Sequence, residues 1–136
     1  MKMMIKMFST IVLFLMIASC VTTTPIALPG KYNLDNDLKA VTHISALKVS
    51  DWVQVDNQSF IITAGSEYYL LVLGRPMEPA TPDQRVGFTD ASSDIRSGID
   101  TIFVRNSSGL EHYVISKIYQ LEGREQAEKI KEQLSK

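Results

Sequence analysis

Cysteine, the most reactive of the side chains, occurs once in this chain, at the end of Ile17-Ala18-Ser19-Cys20. A thiol can act as a nucleophile, and here it stands beside two small residues. Histidine occurs twice, at His43 and His112. A zinc centre takes three or four ligands from Cys, His and carboxylates, and two histidines this far apart make a weak case for one. Asp90, Asp94 and Asp100 lie among Ser92, Ser93 and Ser97. Oxygen-rich loops bind calcium, but this spacing departs from the twelve-residue calcium loop and lacks its closing acid. A Gly-x-Ser-x-Gly elbow, a phosphate-cradling glycine loop and a dinucleotide fingerprint are all absent. No catalytic residue, metal site or cofactor is therefore assigned, and the chain is expected not to be an enzyme.

Aromatic residues offer a different chemistry. Trp52, Phe60, Tyr68 and Tyr69 fall on neighbouring apolar runs. Such residues usually form core and cross-strand pairs. The alternative is a binding patch of Trp52, Tyr68 and Tyr69 for a partner or glycan. Asp56 sits where a turn is needed, and its carboxylate suits hydrogen bonds to nearby backbone. Arg75 and Arg85 are candidate partners for Asp51 or Asp56.

The segment that presents Cys20 reads as an address. Lys2 and Lys6 precede an apolar run over residues 7–17, broken only by Ser9 and Thr10. Basic start, short apolar middle and small residues at the end are the parts of a secretory signal peptide. The run is shorter than the roughly 20 apolar residues that span a bilayer, and polar Thr22, Thr23 and Thr24 follow at once. Ile17-Ala18-Ser19-Cys20 resembles a bacterial lipobox. That resemblance implies a diacylglycerol on the Cys20 sulfur, cleavage just before it and acylation of the new amine. Several chains anchor firmly where one is marginal. Val21 in place of aspartate implies, by the same resemblance, sorting to the outer membrane, on its periplasmic face.

Removing residues 1–19 from the 136 leaves 117, one domain, with 12 basic and 15 acidic side chains. Basic runs of the kind that bind nucleic acid are absent, so no nucleic-acid partner is expected. The expected partners are the membrane, through the N-terminal lipid, and an envelope protein.

Residues 20–36 read as a flexible tether, because Pro25, Pro29 and Gly30 break regular structure; apolar Tyr32 and Leu34 leave room for its end to lie on the domain. Residues 37–136 follow as a single domain. Short apolar runs over 38–49, 52–55, 60–63, 68–73, 85–88, 101–104 and 112–121 read as strands, the first of them ambiguous. Residues 90–98 read as irregular. Residues 124–134 change period: Ala127, Ile130 and Leu134 share a helical face. The expected class is mainly β, a small antiparallel barrel or sandwich meander with one C-terminal helix covering an open edge or end.

Ile44, Trp52 and Asp56, then Tyr69, Leu70, Leu73 and Pro76, then Gly87-Phe88, then Gly98, Asp100 and Ile102 follow a recognisable order. Over roughly residues 40–130 the chain resembles a family of small proteobacterial envelope proteins of unknown function, many of them lipoproteins. Many members of that family carry a cysteine after the strand-ending proline and another near the last strand. Here Met77 follows Pro76, so this chain is expected to hold the same loop by packing. The resemblance implies no activity. The expected role is a non-enzymatic binding or structural accessory of the cell envelope. The alternatives are a carrier or sensor that holds a small apolar ligand in the barrel interior, and an envelope hydrolase.

Overall fold

A computed structural model describes residues 27–79, 81–88 and 94–136. The signal peptide, Cys20, Asp90, Ser92 and Ser93 lie outside the described residues.

A turn of 3-10 helix (Gly30–Tyr32) leads into β1 (Lys39–Val41), β2 (His43–Ser45), a second such turn (Ala46–Lys48) and β3 (Val49–Gln54). Then come β4 (Ser59–Ala64), β5 (Glu67–Leu73), β6 (Arg85–Phe88), β7 (Asp94–Arg96), β8 (Thr101–Asn106), β9 (Gly109–Leu121) and helix α1 (Arg124–Leu134). One antiparallel sheet runs in the order β3-β4-β5-β9-β8-β6, with β1 also on β9, and curls into a half-barrel. A ribbon of β2 and β7 brings Ile44 and Ile95 into the concave core.

Strand β9 is the spine. Residues 115–121 pair with β5, while the opposite edge takes β8 along 109–114 and β1 along 118–120. The register shift between Val72 and Leu73 marks where β9 turns from one half of the sheet to the other. Tight turns set the other registers. Gly65 (φ 67°) occupies a left-handed position in the two-residue link from β4 to β5.

Strands β4 and β5 are buried on both faces, which is why their sequences lack alternation. Phe60, Ile62, Tyr69, Leu71 and Leu73 fill the concave side with Ile102, Tyr113, Ile115 and Ile118. Ile61, Leu70 and Val72 face the convex side, where they meet Tyr32, Leu34 and Leu38 from the N-terminal segment and Ala127, Ile130 and Leu134 from α1. Each such apolar side chain stabilises by about 1.5–3 kcal/mol on leaving water.

The mainly-β class with one C-terminal helix is what the pattern predicts. Three details differ. The 38–49 run is two short strands and a 3-10 turn, because the chain changes sheets at Thr42: β1 pairs with β9 but β2 with β7. The 90–98 stretch contains β7. Helix α1 lies over a sheet face and not an edge. The free edge at β3 is blunted otherwise, by a register shift between Val49 and Asp51 and by the Asp51 carboxylate, which accepts the Trp52 N–H at 2.8 Å.

Of the tether expected over 20–36, residues 20–26 lie outside the described residues and residues 30–36 lie on the domain. Tyr32 is fully buried and Leu34 nearly so. Residues 30–38 form a strap across the convex face and belong to the fold.

Candidate functional site

The densest polar cluster ties the strap to the β3–β4 turn. Asp56 accepts four hydrogen bonds. Its Oδ1 takes the Gln58 N–H at 2.8 Å and the Ser59 hydroxyl at 2.7 Å. Its Oδ2 takes the Tyr32 hydroxyl at 2.7 Å and Lys31 Nζ at 2.8 Å. The first pair is the expected Asx-type turn; the second fastens the strap. The Asp56 side chain is only 13% exposed. Burial would push its pKa up, but the bonds from Lys31, Tyr32, Gln58 and Ser59 outweigh that and hold it below the usual carboxylate range. Burial, with the bond to Asp56, pushes the Tyr32 hydroxyl up to about 12.

A second cluster fixes the strap's far end. Tyr119, wholly buried on β9, donates to the Tyr32 carbonyl at 3.0 Å and accepts the Leu34 N–H at 3.3 Å. Asp35 pairs with Lys117 at 2.9 Å. Beside it lies an open hollow of about 370 Å³ lined by Leu28, Asn33, Ser116 and Lys117 among others. Removing the Tyr119 hydroxyl leaves a buried N–H and C=O without their partner. Tyr119→Phe is expected to lower stability by about 1–2 kcal/mol, read as a shift in the urea midpoint with unchanged slope.

The three aromatics of the suggested patch do not share a surface. Trp52 pairs across to Ile62, and Ile62 to Tyr69, so Trp52 and Tyr69 face the concave side. Tyr69 is buried there and Trp52 is 37% exposed at the rim, edge-on to Phe60 at 5.7 Å. Tyr68 lies on the convex side against the other cluster.

Both histidines are exposed on strands. His43 Nδ1 lies 3.2 Å from the Thr42 hydroxyl, and it shares a shallow hollow with Asp94 and Ser97. The Ser97 hydroxyl donates to the Thr42 carbonyl at 3.3 Å, and no hydrogen bond joins Ser97 to His43 among the described residues. Asp100 Oδ2 takes both the Arg96 N–H at 2.6 Å and its Nε at 3.2 Å, closing the loop between β7 and β8. Among the described residues no three His, Cys, Asp or Glu side chains come together as a metal site.

The candidate pairings of Arg75 and Arg85 with Asp51 or Asp56 do not form. Arg75 stacks 4.1 Å over the Tyr113 ring, donates to the His112 carbonyl at 3.3 Å and lies 3.8 Å from Glu111. Arg85 faces Arg105 across the β6–β8 pair. Met77 is buried in the concave core, and its N–H donates to the Asn57 carbonyl at 2.7 Å. Packing holds this loop, as expected.

Sequence reasoning located Asp56 but missed Lys31 and Tyr32 as its strap partners, and Tyr119 as the residue that holds the strap's far end. The signal was present in the apolar spacing of Tyr32, Leu34 and Leu38, which is unusual for a linker. Chemically, both clusters bind one chain segment to another and leave no free base or nucleophile.

Comparison with curated proteins and with solved structures finds no match. The sequence profile of a family of unknown function, DUF6491, matches residues 3–136, nearly the whole chain, and the protein belongs to that family.

Proposed function

We propose that this protein is a lipid-anchored envelope protein, held at the periplasmic face of the outer membrane through Cys20, and that it acts as a non-enzymatic binding or structural accessory. The lipobox-like Ile17-Ala18-Ser19-Cys20 and the signal-peptide pattern ahead of it support the anchor. The observation that carries the accessory reading is the strap. With residues 30–38 bound down by Asp56 and Tyr119, the domain is fixed close to its N-terminal lead instead of ranging freely. Tight positioning suits a protein that presents a surface.

The carrier reading is less well supported, since a carrier needs an apolar cavity of several hundred cubic ångströms. Here Phe60, Ile62, Leu71, Leu73, Ile102 and Ile115, each fully buried, occupy the interior of the half-barrel. For a hydrolase, the His43 hollow is the place to look, and its serine is already bonded to backbone.

The wild-type protein is expected to take up an alkyne-tagged fatty acid in cells, and Cys20→Ala to take up none. The same variant, with residues 1–19 exchanged for a plain cleavable leader, should appear in the soluble fraction. Label on the variant, or its retention in the membrane pellet, would refute the anchor. In-cell crosslinking of the anchored protein tests the accessory role: one dominant envelope partner supports it, and purely non-specific capture counts against it.

A further inference from the structure

Among the described residues, the convex face of the sheet is covered over only part of its extent. The strap and α1 shield β4, β5 and the C-terminal half of β9. Beyond them, no other described residues cover the convex side of β6, β8 and residues 109–114 of β9. Register assigns its occupants. Ile102, Val104 and Tyr113 point into the concave core, so their strand neighbours point out.

Two rows define the bare face. Arg85 stands opposite Arg105, and Arg105 opposite Leu110. Gly87 stands opposite Phe103, and Phe103 opposite His112. The Phe103 ring lies over Gly87 so closely that a Cβ there would sit 2.4 Å from it. The ring thus forms an apolar floor beside the two guanidinium groups. Leu110 is 48% exposed and Val114, on the same side of β9, 46%.

Like charges directly opposite across a pair of strands destabilise a sheet. Among the described residues neither the Arg85 nor the Arg105 side chain has an ion-pair or hydrogen-bond partner. Carboxylates elsewhere are engaged: Asp83 accepts the Ser107 N–H and Asp100 holds Arg96. Two uncompensated cations over exposed apolar side chains match the chemistry of an anionic interface, where phosphates lie above acyl chains.

Chain geometry points the same way. Leu28 packs beside Ser116 and Lys117 on the convex side of β9, a few residues along that strand from Val114. Residues 21–27 join Cys20 to this point, and the eight steps from Cys20 to Leu28 reach at most ~29 Å when fully extended. A lipid on Cys20 therefore holds the bare face within reach of the bilayer that carries it.

We propose that the bare convex face of β6, β8 and β9 docks on the anionic phospholipid surface next to the protein's own anchor, through Arg85 and Arg105 with Leu110 and Val114. The tethering half of this inference rests on the lipid-anchor reading of Cys20; the chemistry of the face does not.

The test uses mature protein purified from cells. With Cys20 lipidated, Leu110→Cys supplies a unique thiol for an environment-sensitive dye, and Leu47→Cys, at a site 83% exposed in the turn before β3, supplies a control. Each protein is mixed with vesicles of phosphatidylcholine, with or without phosphatidylglycerol. On phosphatidylglycerol vesicles the Leu110 dye should shift to the blue, and acrylamide quenching should fall on the order of two-fold. High salt, or Arg85→Gln with Arg105→Gln, should abolish the change; the Leu47 dye should not respond. Equal quenching of the Leu110 dye on both vesicles would overturn the proposal. Flotation separates the two readings. Protein that floats with both vesicle types is anchored by lipid. Protein that floats only with phosphatidylglycerol, and is released by salt, supports the face while refuting the anchor. Flotation with neither overturns both.

Discussion

Asp56→Ala is expected to destabilise the fold by about 2–4 kcal/mol, because it strips four donors of one buried acceptor. The Tyr32 and Ser59 hydroxyls, the Gln58 N–H and Lys31 Nζ all lose the same carboxylate. The strap should loosen first, and protease should cut near Lys31 in the variant but not in the wild type. Acid should act in the same direction. The folded pKa of Asp56 lies below its ordinary value. Its contribution is therefore complete above about pH 4 and is lost as pH falls through the lower, folded value. Tyr32 behaves oppositely. Its pKa is raised to about 12, so the protonated phenol is favoured on folding, and that contribution is complete below pH 10 and lost as pH rises through about 12. Urea midpoints of wild type and Asp56→Ala, measured from pH 7 down to pH 3, should converge. Parallel curves over that range would show that Asp56 is not the group responsible.

Phe60→Ala is expected to cost about 3–5 kcal/mol, the usual loss for a buried aromatic with a cavity left behind. Phe60 has no exposed surface and stands in the middle of the concave core. Trp52, its edge-to-face neighbour, is the larger side chain but lies at the rim. At 37% exposure on the outermost strand, Trp52→Ala should cost only about 1–2 kcal/mol. Thermal melts of the two variants decide the order. A larger loss at Trp52 than at Phe60 would mean that the rim of the half-barrel is closed in solution.

Strands β3, β4, β5, β8 and β9 and helix α1 were legible because each carries its own period or run. Tyr68 to Leu73 is the instructive case: an apolar run without alternation, which is the mark of a strand covered on both sides. What stayed hidden depends on partners distant in sequence. Strand β7 has only three residues, one of them apolar, and exists because it pairs with β2. The strap reads as linker because Pro29 and Gly30 introduce it, yet Tyr119, far along the chain, supplies its socket. Arg85 and Arg105 are twenty positions apart, and no composition count shows that register sets them side by side.

The strap also has a kinetic meaning. Tyr32 emerges early in the chain, but its carbonyl is bonded to Tyr119, and Leu34 to the same hydroxyl. Contacts of such long sequence separation form late, after the intervening loop has closed. The strap can therefore seat fully, with its far end in the Tyr119 socket, only once β9 is in place. Until then the unfolded chain has a longer leash, with residues 30–38 added to whatever precedes them. Completion of folding reels the domain in toward its N-terminus, so the distance between the two ends of the lead reports whether the last strand has arrived.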